Sequence, residues 1–265
     1  MPRHFSVYLF CVVCVFIGGC AVVPREEGAS FVAAAQSTKS GTDALFDQLS
    51  AAEKHQGTFR AKVRTPHEFY ISDTYSYATN EDGSSTRSLR AGVSVIVDYA
   101  NLMQSLQDGT RAAATQEYIQ QIAANLSVAA VVPELSAAAL ALKPFIDHLL
   151  RAQSQMQARS LVINAAPDVE RLIIALRNAA PAIYKNLVTD KAISDGVKET
   201  DYEGYKVVAA NYVVLLDKLL VSFKALLAAY EKPSNAAVLR TIAENTGELT
   251  ADAKALRSAL GRAQN

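Results

Sequence analysis

Tryptophan is missing from this chain, and in 265 residues there are only 12 glycines, 8 prolines and three cysteines. Each shortage excludes something. Cys11, Cys14 and Cys20 all fall within the first twenty residues, so the rest of the chain has no disulfide and must be held by a hydrophobic core. Cys11-Val-Val-Cys14 has the spacing of a redox pair, but it lies in an apolar run without a βαβ pattern and reads as apolar filler. Few glycines beside abundant alanine, in a sequence that is 50% hydrophobic, suit packed helices better than a β-sandwich. Neither sign of charge is in excess: 26 basic residues face 26 acidic ones, which argues against a nucleic-acid surface. No internal run is apolar enough to span a bilayer; the nearest, residues 207–227, is interrupted by Asp217, Lys218 and Lys224.

Catalytic signatures are missing too. Beyond the leader the histidines are His55, His67 and His148, and none has a second ligand at helical spacing. His148 falls on an apolar helical face and reads as a core histidine. His-Glu-x-x-His, Gly-x-Ser-x-Gly, Ser-x-x-Lys, a phosphate-binding loop and a haem-attachment motif do not occur. Glu199, Asp201 and Glu203 stand in a polar stretch and read as a solvated charge run. The sequence thus predicts no catalytic residue, no metal ligand and no cofactor.

What is present begins at the N-terminus. Arg3 places a fixed positive charge before residues 5–17, a 13-residue run without charge. A transmembrane helix needs about 20 apolar residues to cross roughly 30 Å of hydrocarbon, so this run has the length of a signal-peptide core instead. Ile17-Gly18-Gly19-Cys20 follows it directly and resembles the bacterial lipobox: a branched aliphatic, two small residues, then cysteine. That resemblance implies removal of residues 1–19, diacylglycerol on the Cys20 thiol and usually a further acyl chain, such as palmitate, on the freed amine. It places the protein in the cell envelope, bound to a membrane through its N-terminal lipid. Ala21, where an aspartate would retain a lipoprotein in the inner membrane, favours the outer membrane and its periplasmic face. Two or three acyl chains anchor firmly where one is marginal. The mature chain would keep 246 residues, with 25 basic groups (26 less Arg3) against 26 acidic. Residues 20–30 read as a tether and 31–265 as one helical domain.

Within that domain the apolar residues recur at three and four. The pattern predicts an all-α bundle of about six to eight long helices. A helix over residues 42–55, extending back toward Ser30, carries Leu45, Phe46, Leu49 and Ala52 on one face. Residues 85–107 form the next, with Ser84, Ser85 or Thr86 as N-cap and Gly109 as stop. Further helices cover 111–131 and 134–163, the latter kinked or restarted at Pro144. Asn164-Ala-Ala-Pro167-Asp168 opens another, with a kink at Pro181. Residues 205–230 are apolar nearly all round and read as a central buried helix. In the last, after Pro233, residues 239–260 carry a seam for a partner helix within the chain.

Residues 57–83 break the pattern. Phe59, Ala61 and Val63 alternate with Arg60, Lys62 and Arg64, and Phe69, Ile71, Asp73, Tyr75 and Tyr77 alternate again beyond Pro66. Period two predicts two strands, a small β-hairpin inserted in the bundle. It would carry Arg60, Lys62 and Arg64 on one face with Tyr70, Tyr75 and Tyr77 nearby, a contact surface for an envelope protein or polymer. The other reading is a flap that covers the end of the bundle. For the whole protein the sequence favours a membrane-tethered, non-catalytic binding or scaffold module. A bundle that carries a small apolar ligand, and an enzyme of unrecognised type, are the alternatives.

Overall fold

The computed structural model describes residues 25–64, 67–109, 112–152, 154–195, 202–231 and 236–264. The signal segment and Cys20 lie outside them. The elements are α1 (Arg25–Arg64), a 3₁₀ turn (Ile71–Asp73), α2 (Thr74–Tyr77), α3 (Ser84–Asp108), α4 (Ala112–Ala129), α5 (Pro133–Leu150), α6 (Gln155–Asn164), α7 (Ala166–Asn178), α8 (Ala180–Asp195), α9 (Glu203–Glu231) and α10 (Ala236–Gln264). The chain is all-α, and among the described residues no strand occurs.

The expected hairpin at 57–83 is therefore corrected. Residues 59–64 are the last turns of the 40-residue α1, and the second alternation bends through the 3₁₀ turn and the single-turn α2. An existing helix extends with one hydrogen bond gained per residue ordered, whereas a two-stranded hairpin standing alone is marginal. Of the tether expected over 20–30, residues 25–30 already belong to α1, which begins at Arg25, and residues 20–24 lie outside the described residues.

The long helices run up and down from a base, where Arg25 lies. Gly28 of α1 meets Gln107 near the end of α3, and Asp43 and Asp47 meet Arg90 near its start, so α3 descends against α1. α4 rises beside α3, α5 descends, and α6, α7 and α8 climb in three pieces before α9 descends and α10 rises again. α10 packs on α9 and α1. Its seam of Ile242, Leu249, Ala253, Leu256 and Leu260 is buried there, inside one chain.

Close approach is built in at Gly41, where a Cβ would stand 2.8 Å from that of Ala253 on α10. Gly109 ends α3 with φ 65°, the left-handed cap that glycine adopts at no steric cost. The N-cap of α3 differs from expectation. Gly83 occupies it, and Glu53 of α1 reaches across to accept from the Thr86 amide (3.3 Å) and hydroxyl (3.2 Å).

The stretch expected as one helix over 134–163 is two helices, α5 ending at Leu150 and α6 beginning at Gln155, where Ser154 caps α6 by accepting from the Gln157 amide (3.2 Å). α5 runs unbroken through Pro144. Pro167 and Pro181 instead sit in the first turns of α7 and α8, so the climbing rod breaks before each. Two core tyrosines serve those breaks. Tyr99 donates to the carbonyl of Val162 in the last turn of α6 (2.7 Å), and Tyr212 to that of Leu176 in the last turn of α7 (2.8 Å). A helix's last carbonyls fall outside the intrahelical ladder; each of these accepts a following amide, Ala165 at 3.2 Å and Ala179 at 3.1 Å, and the tyrosine adds a second donor. Burial pushes both phenols above the usual tyrosine range. The rings of Tyr99 and Phe223 stack edge-on at 6.0 Å, Phe31 lies 5.5 Å from Phe223, and Phe46 packs edge-on against Tyr212 at 6.4 Å.

α9 is central but not wrapped on every side. Val207, Val214 and Val221, seven residues apart, all stand on its outer surface.

Candidate functional site

Leu45, Leu49, Ala52, Gln56, Phe59 and Val63 form one stripe along α1, spaced by three and four. Its first four members are buried under neighbouring helices. Gln56 is the last of these, and its amide donates to the Asn186 carbonyl of α8 (2.7 Å); one turn further along α8, Asp190 Oδ1 lies 2.6 Å from Nδ1 of the neighbouring His55. Beyond that point the stripe continues and the bundle does not. Phe59 is 47% exposed and Val63 72%.

The returning segment packs against this overhang. A Cβ on Gly57 would fall 1.9 Å from Ser76 Oγ, so the bare backbone of α1 lets α2 lie close. Lower down, Lys54 donates to the Thr79 carbonyl (3.2 Å). Arg90 gathers Asp43, Asp47 and Asp82 at 2.9–3.0 Å, which pins the segment's end to both α1 and α3. Phe69 and Tyr77 pack with ring centroids 6.3 Å apart, and the Arg87 guanidinium lies 4.4 Å from the centre of the Tyr75 ring. The Tyr70 hydroxyl donates to Glu68. Yet Ile71 stands 88% exposed and Phe69 68%. Of the fifteen large hydrophobic residues exposed among those described, seven fall within residues 59–77, so they form one concentrated patch. A stripe that leaves the bundle and a loop that folds back on it together make a blunt apolar tip. At 1.5 Å per residue, it stands roughly 60 Å along α1 from Arg25.

The tip gathers most of the residues the sequence singled out. Arg60 and Lys62 are exposed on α1, with Arg60 Nε donating to the Gln56 carbonyl (3.2 Å). Tyr70, Tyr75 and Tyr77 are partly exposed on the returning segment. Arg64 ends α1, and its side chain lies outside the described residues. Sequence reasoning read the most exposed members, Val63, Phe69 and Ile71, only as parts of two alternating strands and did not single them out as contact residues. The signal that finds Phe59 and Val63 is the unbroken three-four spacing from Leu45.

Other chemistry is sparse. His148 is exposed, which corrects its reading as a core histidine, and His67 is exposed as well. Among the described residues no group of three or more His, Cys, Asp or Glu could hold a metal ion. No described helix is long and apolar enough to cross a membrane. Asp98, half-buried on α3, accepts from Asn125 Nδ2 of α4 (2.9 Å); burial raises its carboxyl to about 6, although Asn125 and the Lys39 charge favour the ionised form. A shallow apolar groove of about 690 Å³ runs between α8 and α9, lined by Pro181, Tyr184, Ala210 and Val213.

No protein-family model, no curated protein and no solved structure matches this chain.

Proposed function

We propose that this protein is a lipid-anchored, non-catalytic module of the bacterial cell envelope that holds a contact surface away from its own anchor. The single observation that carries the reading is the stripe of α1 that outruns its bundle. Large apolar side chains left exposed at a helix end mark an interaction site. The lipobox supports the address: with Cys20 acylated, residues 21–24 connect the lipid to the base of α1. A 40-residue helix tied laterally by α3, α8, α9 and α10 is a stiff mount for a tip.

The test follows metabolic fatty-acid labelling and photocrosslinking in intact cells. Wild type is expected to take up acyl label that Cys20→Ser does not. A photoreactive residue at position 71 is expected to give adducts that the same residue at Met156, also exposed but near the base, does not. Adducts at neither position, or none confined to 71, would remove the contact surface.

A second reading has its own observation. The groove between α8 and α9 falls in the size range of small-ligand sites and is lined mainly by apolar groups, as a carrier of a small apolar molecule would require. Native mass spectrometry of protein purified from its own membrane would show the extra mass.

A further inference from the structure

We infer that the surface met by the tip is an anionic phospholipid bilayer; this rests on the reading of residues 59–77 as a contact surface and names what it contacts. Shape argues first. Ile71, Val63 and Phe69 are 88%, 72% and 68% exposed, so they protrude from the surface around them. A protein partner would have to offer a matching hollow for each. Hydrocarbon chains are deformable and accept protruding side chains without a prepared pocket.

Layering of residue types argues second. Of the tip's exposed hydrophobic side chains, the three most exposed, Ile71, Val63 and Phe69, are wholly apolar. The three tyrosines are more covered, each with a hydroxyl that can stay wet while its ring packs, the amphipathic character that concentrates tyrosine at membrane interfaces. Charge argues third. Arg60 and Lys62 are exposed on the same two turns of α1 as Phe59 and Val63, where their long stems can lie along the apolar side chains and their heads can reach phosphates. The tip's acids are Glu68, which accepts the Tyr70 hydroxyl, and Asp73 in the 3₁₀ turn. Both acids lie on the returning segment, and on the last two turns of α1 the described charges are Arg60 and Lys62, which suit a negatively charged partner.

The test uses residues 21–265 without acyl chains, which keep every core residue among those described, Phe31 to Leu260. Co-sedimentation is measured with vesicles of phosphatidylcholine alone and of phosphatidylcholine with a third phosphatidylglycerol. Binding is expected to the anionic vesicles, to weaken with added salt, and to fall about tenfold or more in Ile71→Ser with Phe69→Ser, since each variant removes most of one inserted side chain. Arg60→Glu with Lys62→Glu should abolish the preference for anionic lipid. Val214→Ser, on the exposed face of α9, should bind as wild type; circular dichroism and thermal unfolding check that every variant is folded. No binding to anionic vesicles, or binding that the tip variants leave unchanged, overturns the inference. If vesicles fail while the residue-71 crosslinker captures a protein, the bilayer is wrong and the contact surface stands; if both fail, the contact surface falls too.

Discussion

The two halves of α1 carry the same stripe and meet opposite fates. Leu45 and Leu49 are sealed where α1 packs on its neighbouring helices, whereas Phe59 and Val63, about three to four turns beyond Leu49 on the same helix, face solvent. Nothing in the local spacing marks the change. It comes from the lengths of the neighbours: α3 begins at Ser84, beside Glu53, and α9 begins at Glu203, close to α10's Ala263, so both give out below the last turns of α1. Burial along a helix is decided by which partners extend alongside it, and a stripe longer than its partners becomes a surface.

The sharpest way to break this comparison is to truncate matched positions on either side of the boundary. Leu49→Ala should destabilise the fold by about 2–5 kcal/mol in urea unfolding, because the fully buried side chain leaves a cavity that its surroundings cannot close. Val63→Ala should change stability by less than about 0.5 kcal/mol. Similar losses at the two sites would mean that the overhang is covered in solution.

The next effect is opposite in sign. Asp98 has a folded-state carboxyl near 6 against an unfolded reference of 3.8, so the native state holds the proton more tightly than the unfolded chain does. Below the lower value this tightness costs nothing. As pH rises through the two values the native state alone resists ionisation and loses stability. At about 1.4 kcal/mol per unit the ceiling is near 3 kcal/mol, reduced in practice because Asp98 is partly exposed. Asp98→Asn, whose amide oxygen can still accept from Asn125, should raise stability by about 1–2 kcal/mol above pH 7 and by almost nothing near pH 4. A gain that is constant with pH would assign the effect to something other than the carboxylate.

Tyr212→Phe is smaller again. It removes the donor to the Leu176 carbonyl, which keeps the amide of Ala179 at 3.1 Å, so the loss should be about 1 kcal/mol. Position 212 also shows what could be read in advance. Asn-Ala-Ala-Pro occurs at residues 164–167 and again at 178–181, and both copies mark breaks in the climbing rod. The repeat makes the breaks legible; the tyrosines that serve them, 63 and 36 residues away in sequence, are not. The all-α class, the stop at Gly109 and the seam of α10 follow from local periodicity and caps. The cap that Glu53 gives α3, the close approach at Gly57 and the exposure of Ile71 depend on contacts between distant segments. A six-residue alternation such as 59–64 fits a strand or a helix end equally, and only its neighbours decide.

The smallest expected change in stability belongs to the tip itself, and there the smallness is the point. Ile71 touches so little that Ile71→Ser should leave the unfolding midpoint within error, the usual result for a surface substitution that removes no buried contact. A large apolar side chain that contributes nothing to its own fold contributes solubility problems, unless something outside the fold covers it. Gly57→Ala separates the tip's mount from its surface. The added methyl would force Ser76 away and loosen the return of residues 67–83 while the buried half of α1 stays packed. Hydrogen exchange should rise in residues 67–83 and remain slow around Leu49. If exchange rises at both, the two halves of α1 are one cooperative unit, and the overhang is part of the core's stability and not an addition to it.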